Sequence, residues 1–353
     1  MLQGALLKVW QTNPKTTKDL WLNRYVMNNT LTDQYATFGS DAMHQVIYEG
    51  AKIDRNGSIA LLNANIHSID KVLLYDSNAY AAQHERMRFH VNQMLPELAS
   101  NGIMRVTAQE ASAWNGGGEG NRIALPTDYF DYLRCYDEHT IIRYNVLGAW
   151  RALESTQLQG WGPCDFAIRL PRVPSGRYEV RYLYGPMTRG GELDFFLGNS
   201  CDTTTMNKVS TLDAGQDPNN ANIGYQQIGE YEYGIEAGKV MRQNGYMYAP
   251  ASFSRGMYNM ITDKLMVTDD DPYAACYQMT GSTSCRSEGG YGTMMLRYII
   301  ATVDVKQSED CWLRIKNRAT GTLMPSELGW SLNFVELVPV DVAENATYME
   351  DWY

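Results

Sequence analysis

The sequence has little charge and no long apolar run, which excludes two classes of protein. Charged residues make up 20% of the 353 residues, and 30 basic against 40 acidic side chains leave a net charge of −10. No basic run interrupts this balance, so a general nucleic-acid partner is not expected. No segment approaches the roughly 20 apolar residues of a membrane-spanning helix.

The common catalytic and metal-binding motifs are also missing. The sequence contains no C-x-x-C, no G-x-S-x-G and no H-E-x-x-H, and its five histidines show no metal-ligand spacing. Asp137-Glu138-His139 forms a polar cluster that is typical of a solvated turn. A carboxylate pair for glycoside hydrolysis stays open, because its separation is set by the fold. We therefore expect a protein that is not an enzyme.

Six cysteines are present, a density far below that of a disulfide-built scaffold. Cys276 and Cys285 flank a short loop of Gly, Ser and Thr. They are either bridged or, like many buried cysteines, free.

The first residues, MLQGALLKVW, lack the basic segment, apolar core and small-residue cleavage site of a secretory signal. Two interpretations follow: the protein is cytosolic, or the chain begins after an export signal.

The stretch 170–199 carries the clearest secondary-structure pattern. Between Arg177 and Tyr184, apolar or aromatic residues alternate with charged ones, which is the period of a half-buried strand. Leu193, Phe195 and Leu197 predict a second strand, antiparallel to the first, and 166–170 predicts a third. Strands joined by turns rather than helices indicate a mainly β protein with an antiparallel sandwich.

The rest of the chain divides into two units. Residues 1–76 predict a small α+β segment, with a helix opening near Asp19 and a tight turn at Asn56-Gly57. Residues 77–353 predict the sandwich, with an insertion at about 200–292 and a last strand in which Trp330, Leu332 and Phe334 alternate.

A first resemblance rests on ANIHSIDKVL, residues 64–73. This phrase resembles the closing motif of fasciclin-like domains at His67, Ile69, Asp70, Val72 and Leu73, and departs from it at Asn65, where glycine is usual. The resemblance implies a structural role for His67. It covers only the C-terminal half of such a domain, so apolar surface in residues 1–75 is expected to be buried against the sandwich or another chain.

Further phrases resemble surface lipoproteins of the Bacteroidetes, in which a fasciclin-like region precedes a galactose-binding-like, jelly-roll β-sandwich. The phrases are ERMRFHVNQMLPELASNGIMR at 85–105, LPRVPSGRYEVR at 170–181, MRQNGYM at 241–247, ELVPV at 336–340 and the closing EDWY. The resemblance implies a lipid-anchored protein on the cell surface, at the outer membrane.

Candidate binding residues lie in two loops. Trp114, Asn115 and Trp161 are candidates for glycan contact, since aromatic faces pack on sugar rings; the alternative for both tryptophans is burial in the core. The glycine-rich loop at 114–121 lacks the order of a phosphate-binding loop. Asp269 and Asp271 are weak candidates for structural calcium, against a solvated acidic loop.

Three functions are open on these grounds. The first is an accessory subunit of a glycan or nutrient uptake complex, in contact with a barrel transporter of the outer membrane and the transporter's lipoprotein partner. The second is a glycan-binding or adhesion module that uses exposed aromatic loops. The third is a glycan-active enzyme. An extended apolar interface favours the first, an exposed aromatic platform the second, and a cleft with two carboxylates the third.

Overall fold

The computed structural model describes most of the chain, and the described part is mainly β. The described residues are 7–11, 19–28, 44–62, 65–114, 122–146, 156–160, 162–185, 191–216, 220–225, 235–248, 258–259, 264–265, 296–317 and 329–344. Neighbouring strands in these ranges pair antiparallel, which confirms the predicted fold class at this level.

Short strands and a few short helices make up the described secondary structure. The strands are β1 (Val9–Gln11), β2 (Leu20–Leu22), β3 (Tyr25–Asn28), β4 (His44–Tyr48), β5 (Ala51–Ala60), β6 (Asn65–Ile69), β7 (Met87–His90), β8 (Arg122–Leu125), β9 (Leu133–Cys135), β10 (Ile142–Val146), β11 (Thr156–Gly160), β12 (Cys164–Leu170), β13 (Gly176–Tyr184), β14 (Glu192–Gly198), β15 (Asn207–Asp213), β16 (Tyr246–Tyr248), β17 (Tyr258–Asn259), β18 (Lys264–Leu265), β19 (Leu296–Val305), β20 (Cys311–Asn317), β21 (Trp330–Leu332) and β22 (Phe334–Pro339). The helices are α1 (Ser77–Gln83), α2 (Val91–Met94), α3 (Pro96–Ser100), α4 (Ala108–Trp114), α5 (Ile235–Gln243) and α6 (Val340–Ala343).

Two five-stranded sheets form a sandwich-like body. The first sandwich sheet has the order β15-β14-β20-β12-β9, and the second has the order β16-β19-β13-β22-β7. Consecutive strands β12, β13 and β14 fall in alternate sheets, so the chain passes back and forth between the layers.

Aromatic side chains fill the space between the two sheets. Tyr182 of the second sheet meets Phe195 of the first edge to face, with ring centroids 5.2 Å apart. Phe195 also stacks on Tyr298 at 6.0 Å. The inward residues of β13 are all buried, which confirms the predicted alternation of this strand: Tyr178, Val180, Tyr182 and Tyr184.

The predicted pairing of β13 with β14 is wrong. β13 pairs with β19 and β22, whereas β14 pairs with β15 and β20. Both strands have an apolar inner face. Placing them in opposite sheets lets those faces meet across the core, whereas side-by-side pairing would point them in the same direction.

β13 is also not half-buried as predicted, because its outer face is enclosed as well. Glu179 is 8% exposed and Arg181 is fully buried. Arg181 Nε lies 2.5 Å from Glu179 Oε1, and Arg242 of α5 places Nη2 2.7 Å from Glu179 Oε2. A buried carboxylate needs such partners, since taking an isolated charge out of water is costly.

The outer face of the second sandwich sheet continues this charge network at Glu336 of β22. Its carboxylate oxygens lie 2.7 Å from Arg88 Nη2, 3.1 Å from Arg297 Nη1 and 3.5 Å from Arg181 Nη1. Burial by itself raises the pKa of Glu336, but the guanidinium groups, Arg297 first, outweigh burial and hold that pKa well below its usual range.

A four-stranded side sheet, with the order β21-β11-β10-β8, packs against the body. Trp330 of β21 is buried, with its ring 4.6 Å from that of Phe166 in the first sandwich sheet. The single last strand predicted over 330–334 is wrong. The chain changes sheet at Asn333, whose Nδ2 donates to the Thr156 carbonyl at 2.6 Å, before Phe334 begins β22.

The interval 200–292, predicted as an insertion, supplies an edge strand to each sandwich sheet. β15 pairs with β14 at the edge of the first sheet. β16 pairs with β19 at the edge of the second, directly after α5.

The N-terminal sheet has the order β1-β2-β5-β6. The helix predicted from Asp19 is wrong, because residues 20–22 and 25–28 are strands. Asn23, between these strands, has a left-handed φ of 56°. Its side-chain oxygen accepts from Lys8 N at 3.1 Å and from Gln83 Nε2 of α1 at 3.3 Å, so one amide joins the residue before β1 to helix α1.

Candidate functional site

A two-stranded ribbon projects from the N-terminal sheet. β2 pairs with Ala51–Ile53 only, while β5 continues to Ala60 with β6 as its one neighbour among the described strands. We call residues 54–62 and 65–68 the arm. Every β5 residue from 54 to 60 is exposed, as are the first four of β6. Asp54 pairs with Ser68 and Ala60 with Asn65, so at about 3.3 Å per residue of β6 the paired part of the arm spans roughly 10 Å.

The end of the arm is apolar. Ile59 and Ile66 lie opposite each other across the ribbon and are 58% and 52% exposed. Leu61 and Leu62, which follow β5, are 51% and 105% exposed. We call these four side chains the arm tip. A two-stranded ribbon has no second layer on which to bury them.

Exposed apolar residues concentrate in the N-terminal part of the molecule. Of the 15 large apolar side chains that are exposed within the described residues, 11 precede residue 81. Single exposed apolar residues are ordinary, but a cluster marks an interaction surface. Apolar side chains of residues 1–75 are therefore exposed, and the sandwich does not bury those of the arm.

A bulge shapes the middle of the arm. Asp54 pairs with Ser68 and Ile59 with Ile66, so residues 55–58 lie opposite His67 alone. Asn56-Gly57 thus belongs to this bulge and not to the hairpin turn that its sequence predicts. A Cβ on Gly57 would lie 2.6 Å from Asp54 Oδ2, which favours glycine there.

Hydrogen bonds hold the bulge in one shape. The Asn56 N–H donates to Asp54 Oδ1 at 2.9 Å, and Ser58 Oγ donates to the Arg55 carbonyl at 2.9 Å. His67 Nδ1 lies 2.6 Å from Ser58 Oγ. Because the Ser58 hydroxyl donates its proton to the Arg55 carbonyl, its oxygen is the acceptor in this contact and the His67 Nδ1–H is the donor. This contact is consistent with the structural role expected for His67.

The side chains predicted for ligand and metal binding lie outside the described residues. Trp114 ends α4, but its side chain is not among those described. The others are Asn115, Trp161, Asp269 and Asp271, together with the cysteines Cys276 and Cys285. Glycan contact, calcium binding and the candidate disulfide therefore stay predictions.

The polar cluster at Asp137-Glu138-His139 is a surface turn, as predicted. Asp137 Oδ1 accepts from both the backbone N–H and the Nδ1 of His139, each at 2.8 Å. The bond from the His139 backbone, with help from the ring, lowers the pKa of Asp137. The carboxylate is thus engaged by its own turn.

Two properties of the described residues bear on other functions. These residues hold no group of three or more His, Cys, Asp or Glu side chains placed to share a metal ion. No helix among them is long and apolar enough to cross a membrane.

Comparison with known proteins identifies no family for this chain. Neither a protein-family model nor a curated protein matches the chain. The resemblance drawn from the sequence therefore remains an expectation, and the geometry of the arm is the main ground for a functional argument.

From the sequence, the apolar surface of residues 1–75 is expected to be buried against the sandwich or another chain, and the arm itself is not predicted. The sequence IALLNANI at 59–66 is typical of a strand followed by a loop. Nothing in it indicates that the neighbouring strand β2 ends before it reaches these residues. The signal that was present is the density of Ile and Leu next to the polar residues Asn63 and Asn65. Apolar residues are unusual in a polar loop sequence unless something covers them.

Proposed function

We propose that the protein is a non-catalytic lipoprotein of the cell surface, lipid-anchored at the outer membrane, that acts as an accessory subunit of a glycan or nutrient uptake complex. In this proposal the body is a galactose-binding-like jelly roll, preceded by a partial fasciclin-like segment. The sequence resemblance supports the location and the kind of complex. The exposed apolar arm tip supports action by protein–protein contact.

The chemistry of the arm tip favours a protein partner over a sugar. Its side chains are the branched aliphatics Ile59, Leu61, Leu62 and Ile66. Sugars are bound by aromatic faces and by converging polar groups. Aliphatic side chains gain instead from burial in an apolar groove, at about 1.5–3 kcal/mol for each one fully buried.

The size of this gain is comparable with the cost of association, which is several kcal/mol. Ile59, Leu61 and Ile66 are already about half-buried, so the four side chains together supply roughly 4–8 kcal/mol. The arm tip alone thus supports a weak to moderate contact, and further surface must contribute to a permanent one. The expected partners are a barrel transporter and its lipoprotein partner.

The test is a mild-detergent pull-down of the native protein from its own membranes, compared with an arm variant. The variant combines Ile59→Ser, Leu62→Ser and Ile66→Ser. A matched control combines Met104→Ser and Ile141→Ser, two residues that are exposed outside the arm, at 36% and 42%. We expect the wild type and the control to bring down the barrel transporter and a second lipoprotein in equal amounts, and the arm variant to lose both.

Two results would contradict the proposal. If the arm variant recovers the complex at the wild-type level, the arm is not the contact. If the wild type recovers neither partner, the protein is not a stable subunit of such a complex. A glycan-array screen with Trp114 and Trp161 variants then tests the adhesion alternative.

A further inference from the structure

The outer face of the first sandwich sheet carries a second arrangement of polar groups. Leu313 and Ile315 of β20 point into the core, so Arg314 and Lys316 point outward. Asp165 of β12 lies directly opposite Lys316 across the ladder. Tyr136, just after β9, joins this face through its backbone N–H, which donates to the Asp165 carbonyl at 2.8 Å.

Arg314 is held in a fixed orientation. Its Nε and Nη2 donate to the two carboxylate oxygens of Asp165, each at 2.6 Å. The guanidinium carbon also lies 5.1 Å from the ring centre of Tyr136 and 4.9 Å from that of Phe196. A bidentate carboxylate and two aromatic faces leave this flexible side chain little freedom to lose when a ligand binds.

Two cationic groups on this face remain able to meet a ligand. Asp165 uses Nε and Nη2 of Arg314, which leaves the two hydrogens of Nη1 for another acceptor. The Arg314 side chain is 12% exposed, so it is reached from solvent at one edge. Lys316 Nζ is 3.5 Å from Asp165 Oδ2 and its side chain is 46% exposed, so it can turn toward the same ligand.

The charges of this face are balanced, whereas the chain as a whole carries −10. Lys316 lies between two carboxylates, Asp165 of β12 and Asp194 of β14, its partners on either side. With Arg134, Arg314 and Asp137 the count is three cations against three carboxylates. A neutral face with two accessible cations suits a single carboxylate better than a phosphate dianion.

We propose that this face binds the carboxylate of a small ring-shaped ligand, such as a uronic acid, between Arg314 Nη1 and Lys316 Nζ. The Tyr136 ring, 36% exposed, offers apolar surface to the ligand ring at the same place. The site lies on the sandwich and not on the arm, so it stands or falls independently of the accessory-subunit function.

The test is titration calorimetry of the full chain with glucuronate, and with glucose as the uncharged match. Lys316→Gln removes one cation from an exposed position. Lys306→Gln is the control, because Lys306 is 68% exposed, follows β19 of the other sandwich sheet and pairs with Glu309 at 2.9 Å. We expect saturable binding of glucuronate but not of glucose, an affinity about tenfold lower for Lys316→Gln, and a change below about twofold for Lys306→Gln.

A second variant distinguishes the fixed geometry of the Arg314 guanidinium from its positive charge. Arg314→Lys keeps the positive charge but cannot hold Asp165 with two bonds while presenting a third donor, so we expect it to lose glucuronate binding. Melting curves of the two lysine-to-glutamine variants should match the wild type. The proposal would be overturned if glucuronate did not bind saturably or if glucose bound equally well. It would also be overturned if the two lysine-to-glutamine variants lost the same amount of glucuronate affinity.

Discussion

Arg297 Nη1 and Glu336 Oε2 lie 3.1 Å apart with both side chains fully buried, on the outer face of the second sandwich sheet. Arg88 and Arg181 approach the same carboxylate, so one glutamate from β22 joins arginines from three other strands: β7, β13 and β19. The network crosses most of the sheet on the side away from the aromatic core. Its loss should therefore be felt by the whole fold.

The first prediction concerns the charge of Glu336. Glu336→Gln keeps the shape of the side chain and leaves buried guanidinium groups without their shared carboxylate. We expect the free energy of unfolding to fall by about 3–5 kcal/mol, measured by urea denaturation. Glu309→Gln is the control, because Glu309 forms an exposed pair with Lys306 and should cost below about 1 kcal/mol. Equal effects of the two substitutions would show that the buried network does not hold the sheet.

The second prediction concerns acid. The folded-state pKa of Glu336 is lowered, so the carboxylate's contribution to stability is complete above its unfolded pKa of about 4.3 and is lost as pH falls below that value. We expect stability to fall steeply between about pH 5 and pH 3. The fall should be shallower in Glu336→Gln, which has no proton to take up there. Urea titrations over this range check it, and parallel curves for the two proteins would refute it.

The third prediction concerns the packing of Gly160 within the side sheet, where it pairs with Trp330. A Cβ on Gly160 would lie 2.3 Å from both the Ile141 carbonyl oxygen and Trp330 Nε1. We expect Gly160→Ala to destabilise the protein by about 3 kcal/mol or more, because backbone and a buried indole would both have to move. Gly102→Ala is the comparison: Gly102 has a φ of +73° but no atom within 4 Å of an added Cβ, so only about 1 kcal/mol is expected. Thermal unfolding should rank the two in this order.

The fourth prediction concerns the thiols of the body. Burial raises the pKa of Cys135 and of Cys311, each to about 11. At pH 8 only about one thiol in a thousand is then ionised. We expect iodoacetamide to label both slowly in the folded protein and rapidly in urea, as read by peptide mass mapping. Labelling of the folded protein at the unfolded rate would mean that these thiols are open to solvent.

Much of the secondary structure could be read from the chain alone. Alternation at Arg177–Tyr184 correctly assigned inward and outward residues, since the period of two is local to the strand. By contrast, short segments such as 20–22 misled, because three residues hold too little pattern to separate helix from strand.

The candidate sites were less accessible to this reasoning. The arm depends on where β2 stops pairing with β5, and that limit is set by neighbouring strands rather than by residues 54–68. The Arg314 face depends on the pairing of β12 with β20, which are 149 residues apart at the Arg314–Asp165 contact. No local sequence pattern predicts the arm or the Arg314 face.

The sequence by itself determined an antiparallel, mainly β protein and the inward face of its main strands, because side-chain direction follows from local period. Only the tertiary structure decided which strands pair. It put β13 and β14 in opposite sheets and enclosed Arg181 and Glu336 on a face whose charges look solvent-exposed in sequence. The physical reason is that burial is a property of the whole assembly: a second layer can cover a charged face when opposite charges from distant strands meet there.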